Sequence, residues 1–496
     1  MSHAVAAAGE RAEIFGHPRG LATLFLTEMW ERFSYYGMRA LLVLFMVEQV
    51  EKGGLGYTDQ TATAIYGLYT AAAYLVCIPG GWIADRLWGS QRAVWVGGIV
   101  IMCGHFVLAL QGVPTFFLGL LLVCLGTGLL KPNISAVVGA LYGPTDARRD
   151  AGFTLFYIGI NLGAALGGVV CGWLAGFNWH YGFAAAGVGM LAGLIQFHFT
   201  RDSLGTAGLA PATAATPALR RAAWSTVALV VGAALLLLMA AVRGWVVLDA
   251  IRLRDGATWV LVLVTIAFFA YVFIAGRLTR DETKRVIVIL ALVLACAMFW
   301  AGFEQAGSSL SLFAERFTLR DVAGFEVPAA WFQSLNPAFI ILLAPVYSAL
   351  WVWLARRNLE PGAPMKFALG LIILGLGFVV MIGAAALVAS GRQVLPTWLI
   401  FTYLLHTMGE LALSPVGLSA MTKLAPQRFV GQMMGIWFMA NSLGYVIASS
   451  IAGTFDTGNL GAWPGLYTQI VLTTVGTGLV LLVFSRPLRK LMGGVR

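Results

Sequence analysis

Charge is scarce in this chain. Asp, Glu, Lys and Arg make up 11% of its 496 residues, where a soluble domain carries about 25%. That shortage excludes a soluble enzyme and a disordered chain alike. Cysteine is thin as well: Cys77, Cys103, Cys124, Cys171 and Cys296 all fall inside apolar stretches, with neither metal-site nor redox-pair spacing. A disulfide-stapled secreted domain is therefore excluded, and the thiols read as small core residues. Residues 1–20 have no apolar core of signal-peptide length, so no cleaved signal is expected. A phosphate-binding loop, a metal cluster and a nucleophile elbow are also missing.

What the chain has instead is apolar length. Hydrophobic residues make up 59%, mean hydropathy is +0.83, and many blocks exceed the ~20 residues that cross a bilayer as a helix. Outer-membrane strands would be ~10 residues long and alternate in polarity. The fold class is an all-α polytopic membrane protein. Fourteen spans are expected, at 21–49, 61–86, 92–112, 115–141, 151–176, 181–199, 223–248, 257–276, 285–310, 330–355, 366–390, 396–424, 430–453 and 465–486. The stretch 201–222, rich in Ala, Thr, Pro and Gly, is the clearest linker. The plan reads six, two, six: a first half over 1–200, a linker with two extra spans over 201–284, and a second half over 285–496.

An even number of spans puts both termini on one side. That side holds 22 of the 32 Lys and Arg, from Arg11 to Arg496; the other holds 7, and Arg32, Arg39 and Lys131 lie within spans. Such an excess marks the cytoplasmic face, which accounts for the net charge of +10 without a nucleic-acid partner.

Charges inside spans are rare and costly, about 2.5–3.5 kcal/mol each on insertion scales, and functional by default. Seven stand out: Glu28, Glu31, Arg32, Arg39, Lys131, Glu304 and Glu410. Glu28, Glu31, Arg32, Tyr35 and Arg39 share one helical stripe, which must face a polar cavity rather than lipid. The plainer alternative is a buried ion-pair network that only fixes packing. Four carboxylates and three cations from four spans exceed what packing requires. His105, His198 and His406 lie in spans but are isolated, and read as satisfied core or interfacial histidines. The spans of the two linker helices hold no internal charge, which makes a spacer their default role.

The loop Gly81-Trp-Ile-Ala-Asp85-Arg86-Leu-Trp-Gly89 resembles the G-x-x-x-D-R-x-x-G motif of the major facilitator superfamily, and Ala355-Arg356-Arg357 is a weaker echo in the second half. TEMWERFSYYGMRALL (27–42) resembles the E-x-x-E-R-F-x-Y-Y-G signature of proton-dependent oligopeptide transporters. FYIGINLGA (156–164), GLLKPNISAVVG (128–139), FWAGFEQAGSS (299–309), SLNPAFI (334–340) and GELALSPVGLS (409–419) are similar to further motifs of that family, in the same order. The resemblance implies the facilitator fold of two six-helix halves and a proton-coupled importer of di- and tripeptides, not an enzyme.

Residue by residue, the resemblance implies that Glu28, Glu31, Arg32 and Glu304 couple protons. It places the peptide's carboxylate on Arg32 and Lys131 and its amino terminus on Glu304, Asn161 and Asn336. Tyr35, Tyr36, Tyr69 and Tyr157 would surround the peptide backbone, while Trp300 and Trp437 would line side-chain pockets. Arg39–Glu304 and Lys131–Glu410 would be salt bridges between the halves, with Glu410 also counted among the peptide-binding residues. Ser414 is counted there too, and both Ser414 and Gln305 sit in matching motifs without an assigned role. The expected partners are small peptides, protons and lipid, with the proton as coupling ion, no cofactor or metal, and a functional monomer in a bacterial cytoplasmic membrane.

Elementary chemistry agrees: a short peptide is a zwitterion, so its site needs cations at one end and an anion at the other. The rival readings are a facilitator for nitrate, drugs or sugars, and a polytopic membrane enzyme. The latter would need catalytic His or Asp residues in interfacial loops, and the short loops offer no such set.

Overall fold

The computed structural model of the chain describes residues 13–14, 16–142, 146, 148–211, 216–454 and 459–493. Arg11 and Arg496 of the charge tally, and linker residues 212–215, lie outside them. Among the described residues, long apolar runs fold as helices because lipid offers no partner to a free backbone N–H or C=O. The first seven are α1 (Gly20–Val47), α2 (Asp59–Leu75), α3 (Cys77–Ile83), α4 (Ser90–Leu108), α5 (Val113–Ala140), α6 (Arg149–Ala175) and α7 (Trp179–Thr200). Two follow the linker, α8 (Pro217–Val242) and α9 (Ala250–Ala275). The last seven are α10 (Arg280–Phe303), α11 (Ser309–Phe317), α12 (Leu335–Arg356), α13 (Ala363–Ala389), α14 (Thr397–Leu424), α15 (Val430–Gly453) and α16 (Trp463–Leu491).

The pairs α2–α3 and α10–α11 each make one span, which leaves fourteen. Thirteen are long and apolar enough to cross a membrane. The fourteenth, α1, has the length, 28 residues, but carries the charged stripe.

By internal contacts the chain gathers into two units, one of residues 1–39 and 76–248, the other of 40–75 and 249–496. In the first, α4 packs on α5 and α7, and α6 on α7. Leu24, Ile101, Ile134, Phe156, Met190 and Phe197 form its core. Apolar burial drives little association in lipid, so close van der Waals approach holds such bundles. Gly163 and Gly167 of α6 lie on the backbone of Met29 and Phe33, where any Cβ would strike a carbonyl oxygen. This fixes which face of α1 meets α6. In the second unit α13 packs on α14 and α16, α10 on α15, and α2 on α9 and α15, around buried Phe299, Phe313, Phe378 and Tyr467. Two short hairpins, β1 (Glu13–Ile14) with β2 (His17–Pro18) and β3 (Asp321–Val322) with β4 (Phe325–Glu326), and several short 3₁₀ segments lie between the helices or before them.

Three expectations need correction. The second linker helix begins at Ala250, earlier than the pattern indicates, and so takes Arg252, Arg254 and Asp255 into α9. Arg254 is buried there and donates to the Ser449 carbonyl (3.3 Å), and α9 packs on α2 and α15. The start of α9 is thus charged and anchored to α15, where the sequence pattern places no charge within the span. Cys103 is exposed, unlike the buried Cys124, Cys171 and Cys296. His105 and His406 are buried, yet among the described residues neither ring finds a hydrogen-bond partner; the His406 ring centroid instead lies 4.6 Å from that of Phe378.

Candidate functional site

The charged stripe of α1 is almost wholly shielded: Glu28 is 3% exposed, Glu31 0% and Arg32 2%. Met29 and Phe33, on an adjoining face of α1, pack on Gly163 and Gly167 of α6, and Arg32 borders the same contact. Arg32 Nε meets Glu28 Oε1 at 3.0 Å and also pairs with Glu31. One guanidinium thus serves two carboxylates, and a charge left alone at this depth would cost several kcal/mol. The guanidinium carbon sits 5.4 Å from the Tyr35 ring, and that of Arg39 5.4 Å from Tyr36. Lys131 comes from α5, close enough for its charge to act on both carboxylates. Pro132 follows it and offers no N–H to the carbonyl of Gly128, which weakens the helix ladder beside the lysine. On α6, Asn161 is buried and donates to the Tyr157 carbonyl (2.9 Å), while the Tyr157 side chain is exposed.

In the second unit the ninth span is broken. α10 ends at Phe303, a 3₁₀ turn covers Glu304–Gly307, and α11 restarts at Ser309. Irregular backbone at membrane depth is tolerated where it is buried in protein or lines a cavity. Glu304, 2% exposed at this break, accepts a hydrogen bond from Tyr66 Oη (3.1 Å). That approach depends on Gly307, where a side chain would collide with the tyrosine hydroxyl. Gln305 fastens the turn: its Nε2 donates to the carbonyl of Ala448 (3.0 Å), and its Oε1 accepts from Ser309 (2.7 Å). Asn336, just inside α12, donates to Glu410 Oε2 (2.9 Å) and to Thr407 Oγ1 (3.0 Å) of α14. Trp300 packs edge-on to Tyr445, and Trp437 to Phe367. Among the described residues, no group of three or more His, Cys, Asp or Glu could hold a metal ion.

A POT family model matches residues 91–463 of the chain. The chain belongs to the POT family. It is similar to the peptide transporter YePEPT of Yersinia enterocolitica, at 41% identity over 97% of this chain and 96% of that one. It is similar also to a di-/tripeptide transporter of Lactococcus lactis, at 37% identity over 97% of this chain and 98% of that one. Among solved structures it matches a peptide transporter POT in complex with sulfate, with 43% identity, 98% of each chain covered and a TM-score of 0.90. The all-α facilitator-type fold expected from the sequence is the fold of this chain, and the protein is a multi-pass membrane transporter.

The residues singled out in this POT chain divide between the two units. Glu28, Glu31, Arg32, Tyr35, Tyr36, Arg39, Lys131, Tyr157 and Asn161 belong to the first. Tyr69, Trp300, Glu304, Asn336, Glu410, Ser414 and Trp437 belong to the second. Asn336 is brought onto Glu410, while Glu304 is met by Tyr66. Among the described residues, Ser414 Oγ is buried without a hydrogen-bond partner. Gln305, without an assigned role in the motif, is a structural fastener of the broken span. The sequence reading passed over Tyr66 and Thr407. Tyr66 stands three residues before Tyr69, on the same helical face, and that spacing was the signal available.

Proposed function

We propose that this chain imports di- and tripeptides together with protons across a bacterial cytoplasmic membrane, by alternating access and as a monomer. The observation that carries the reading is a set of membrane-buried charges of both signs: Glu28, Glu31 and Arg32, with Lys131 nearby, and Glu304 on its tyrosine. Arg32 and Lys131 take the peptide carboxylate, the arginine through its planar fork. Glu304 takes the amino terminus, a role shared with Asn161 and Asn336. Tyr35, Tyr36, Tyr69 and Tyr157 line the backbone, Trp300 and Trp437 the side chains, and Glu410 and Ser414 complete the binding set.

Glu28 and Glu31 share one guanidinium, so the arrival of a peptide carboxylate at Arg32 releases a glutamate to take a proton. With a net-neutral peptide, each proton makes the transported charge positive, and the membrane potential supplies ~2.3 kcal/mol per charge per 100 mV. No cofactor is needed beyond the proton. Both termini lie in the cytoplasm, a reading supported by the excess of Lys and Arg on that face.

Uptake of labelled dialanine into proteoliposomes tests the reading. Accumulation should require an inward proton gradient, and its absence under that gradient would overturn the assignment. Reactivity of single cysteines in the loop after Arg201 toward an impermeant reagent tests the sidedness separately.

A further inference from the structure

The first linker helix carries a feature that peptide transport does not use. α8 is 26 residues long and touches the bundle sparsely: along its apolar length Leu229 is 73% exposed and Leu236 62%. It is therefore a lipid-facing helix. At its start lies an open concavity of about 600 Å³, its described wall one face of α8: Pro217, Arg220, Arg221, Trp224 and Ser225. We propose that this cleft binds the phosphate of an anionic phospholipid headgroup.

Three observations carry the assignment. Among the described residues no carboxylate lines the cleft and neither guanidinium has an ion-pair partner. The two arginines also stand at the wrong end of the helix. Backbone dipoles make a helix N-terminus positive, which favours anions and disfavours cations, yet the first turn of α8 contains no acidic residue. An external anion resolves both conflicts at once, meeting the guanidinium forks and the dipole together.

The third observation sets the depth. Trp224, one turn after Arg220, is 42% exposed, and its ring centroid is 5.4 Å from that of Trp88. Tryptophans mark the headgroup level of a bilayer, where one edge is wet and the other apolar. Beyond Trp224 the helix runs into lipid. The anion that reaches this cleft is thus one already tethered in the membrane, and basic pockets beside helices are a known form of such recognition. The bound headgroup fastens a helix that few protein contacts hold.

Six spans precede α8, so the cleft shares the membrane face of the termini; the binding test does not depend on which face that is. Native mass spectrometry of the full detergent-solubilised chain would titrate phosphatidylglycerol against phosphatidylcholine, for the unaltered protein and for R220Q/R221Q. The unaltered protein should prefer phosphatidylglycerol, and the double variant should lose roughly 25-fold in affinity for it, the loss from two membrane-surface cations at about 1 kcal/mol each. Dialanine uptake by the variant in phosphatidylcholine vesicles should match the unaltered protein, which establishes that it folds. Equal binding of the two lipids, or phosphatidylglycerol binding untouched by the substitutions, overturns the proposal. Displacement of the lipid by millimolar inorganic phosphate would assign the cleft to a free anion and overturn the lipid assignment.

Discussion

Replacing Tyr66 by Phe removes one oxygen atom from the donor side of Glu304 and leaves the ring in place. Both residues are 2% exposed, so water cannot readily replace the lost donor. A hydrogen bond to a charged group is worth about 1.5–3 kcal/mol, which corresponds to about 10- to 150-fold in affinity. The carboxylate that has lost this partner is held less firmly for the peptide's amino group. Isothermal titration with dialanine, and with an analogue lacking the amino group, separates positioning from general damage. Dialanine should bind Tyr66→Phe 10- to 150-fold more weakly, and the des-amino analogue should change by less than threefold. Equal weakening of both ligands would mean that Tyr66 acts through packing alone. Unchanged dialanine affinity would remove Tyr66 from the site altogether.

Glu28→Gln and Glu31→Gln keep size and remove the titratable group, so gradient-driven accumulation should fall at least tenfold while exchange without a gradient survives; unimpaired accumulation in both refutes their coupling role. Arg316 holds Asp59 through two bonds of 2.6 and 2.7 Å, so Asp59→Asn should cost about 1–2 kcal/mol, read as a lowered Tm that the swap D59R/R316D largely restores. Gly163→Ala drives a Cβ into the Met29 carbonyl and should cost about 1–3 kcal/mol, measured as reduced folded yield; Gly232→Ala, in open space, is the neutral control. Hydrogen bonds from the Arg148 guanidinium hold the Asp146 carboxyl below its usual range. Its stabilisation is present at neutral pH and lost only as pH falls through that lowered value, so Asp146→Asn should leave the uptake profile between about pH 5 and 8 unmoved.

Much of this architecture was legible because lipid makes the hydrophobic run nearly sufficient for a helix. The first span was expected over 21–49 and is Gly20–Val47; the fourth, over 115–141, is Val113–Ala140. Glu28, Glu31 and Arg32 were legible for the converse reason, that charges at membrane depth need a purpose. The break at Glu304 was not, since the span expected over 285–310 runs straight through it, and a 3₁₀ turn leaves no mark on hydropathy. Tyr66 was missed because its partner lies 238 positions away, a contact that periodicity cannot register. The histidines misled for another reason: a ring that is merely packed and one that is hydrogen-bonded look alike in sequence.

The broken ninth span also sets up a mechanical asymmetry. Its root is clamped: Thr279 and Glu282 cap α10 reciprocally, and Arg428 grips Glu282 together with the carbonyls of Gly276 and Arg277. Beyond the 3₁₀ turn, α11 is a stiff arm of nine residues, about 13 Å at 1.5 Å per residue. Ser309–Ala314 of the arm are buried and Phe313 packs on Trp463, so any rotation this packing permits at the turn is carried along the arm and not into the root. A 10° swing carries the tip about 2 Å, enough to unseat the 2.6 Å grip of Arg316 on Asp59. A force applied at Glu304 would thus be felt, amplified, at an ion pair one helix length away.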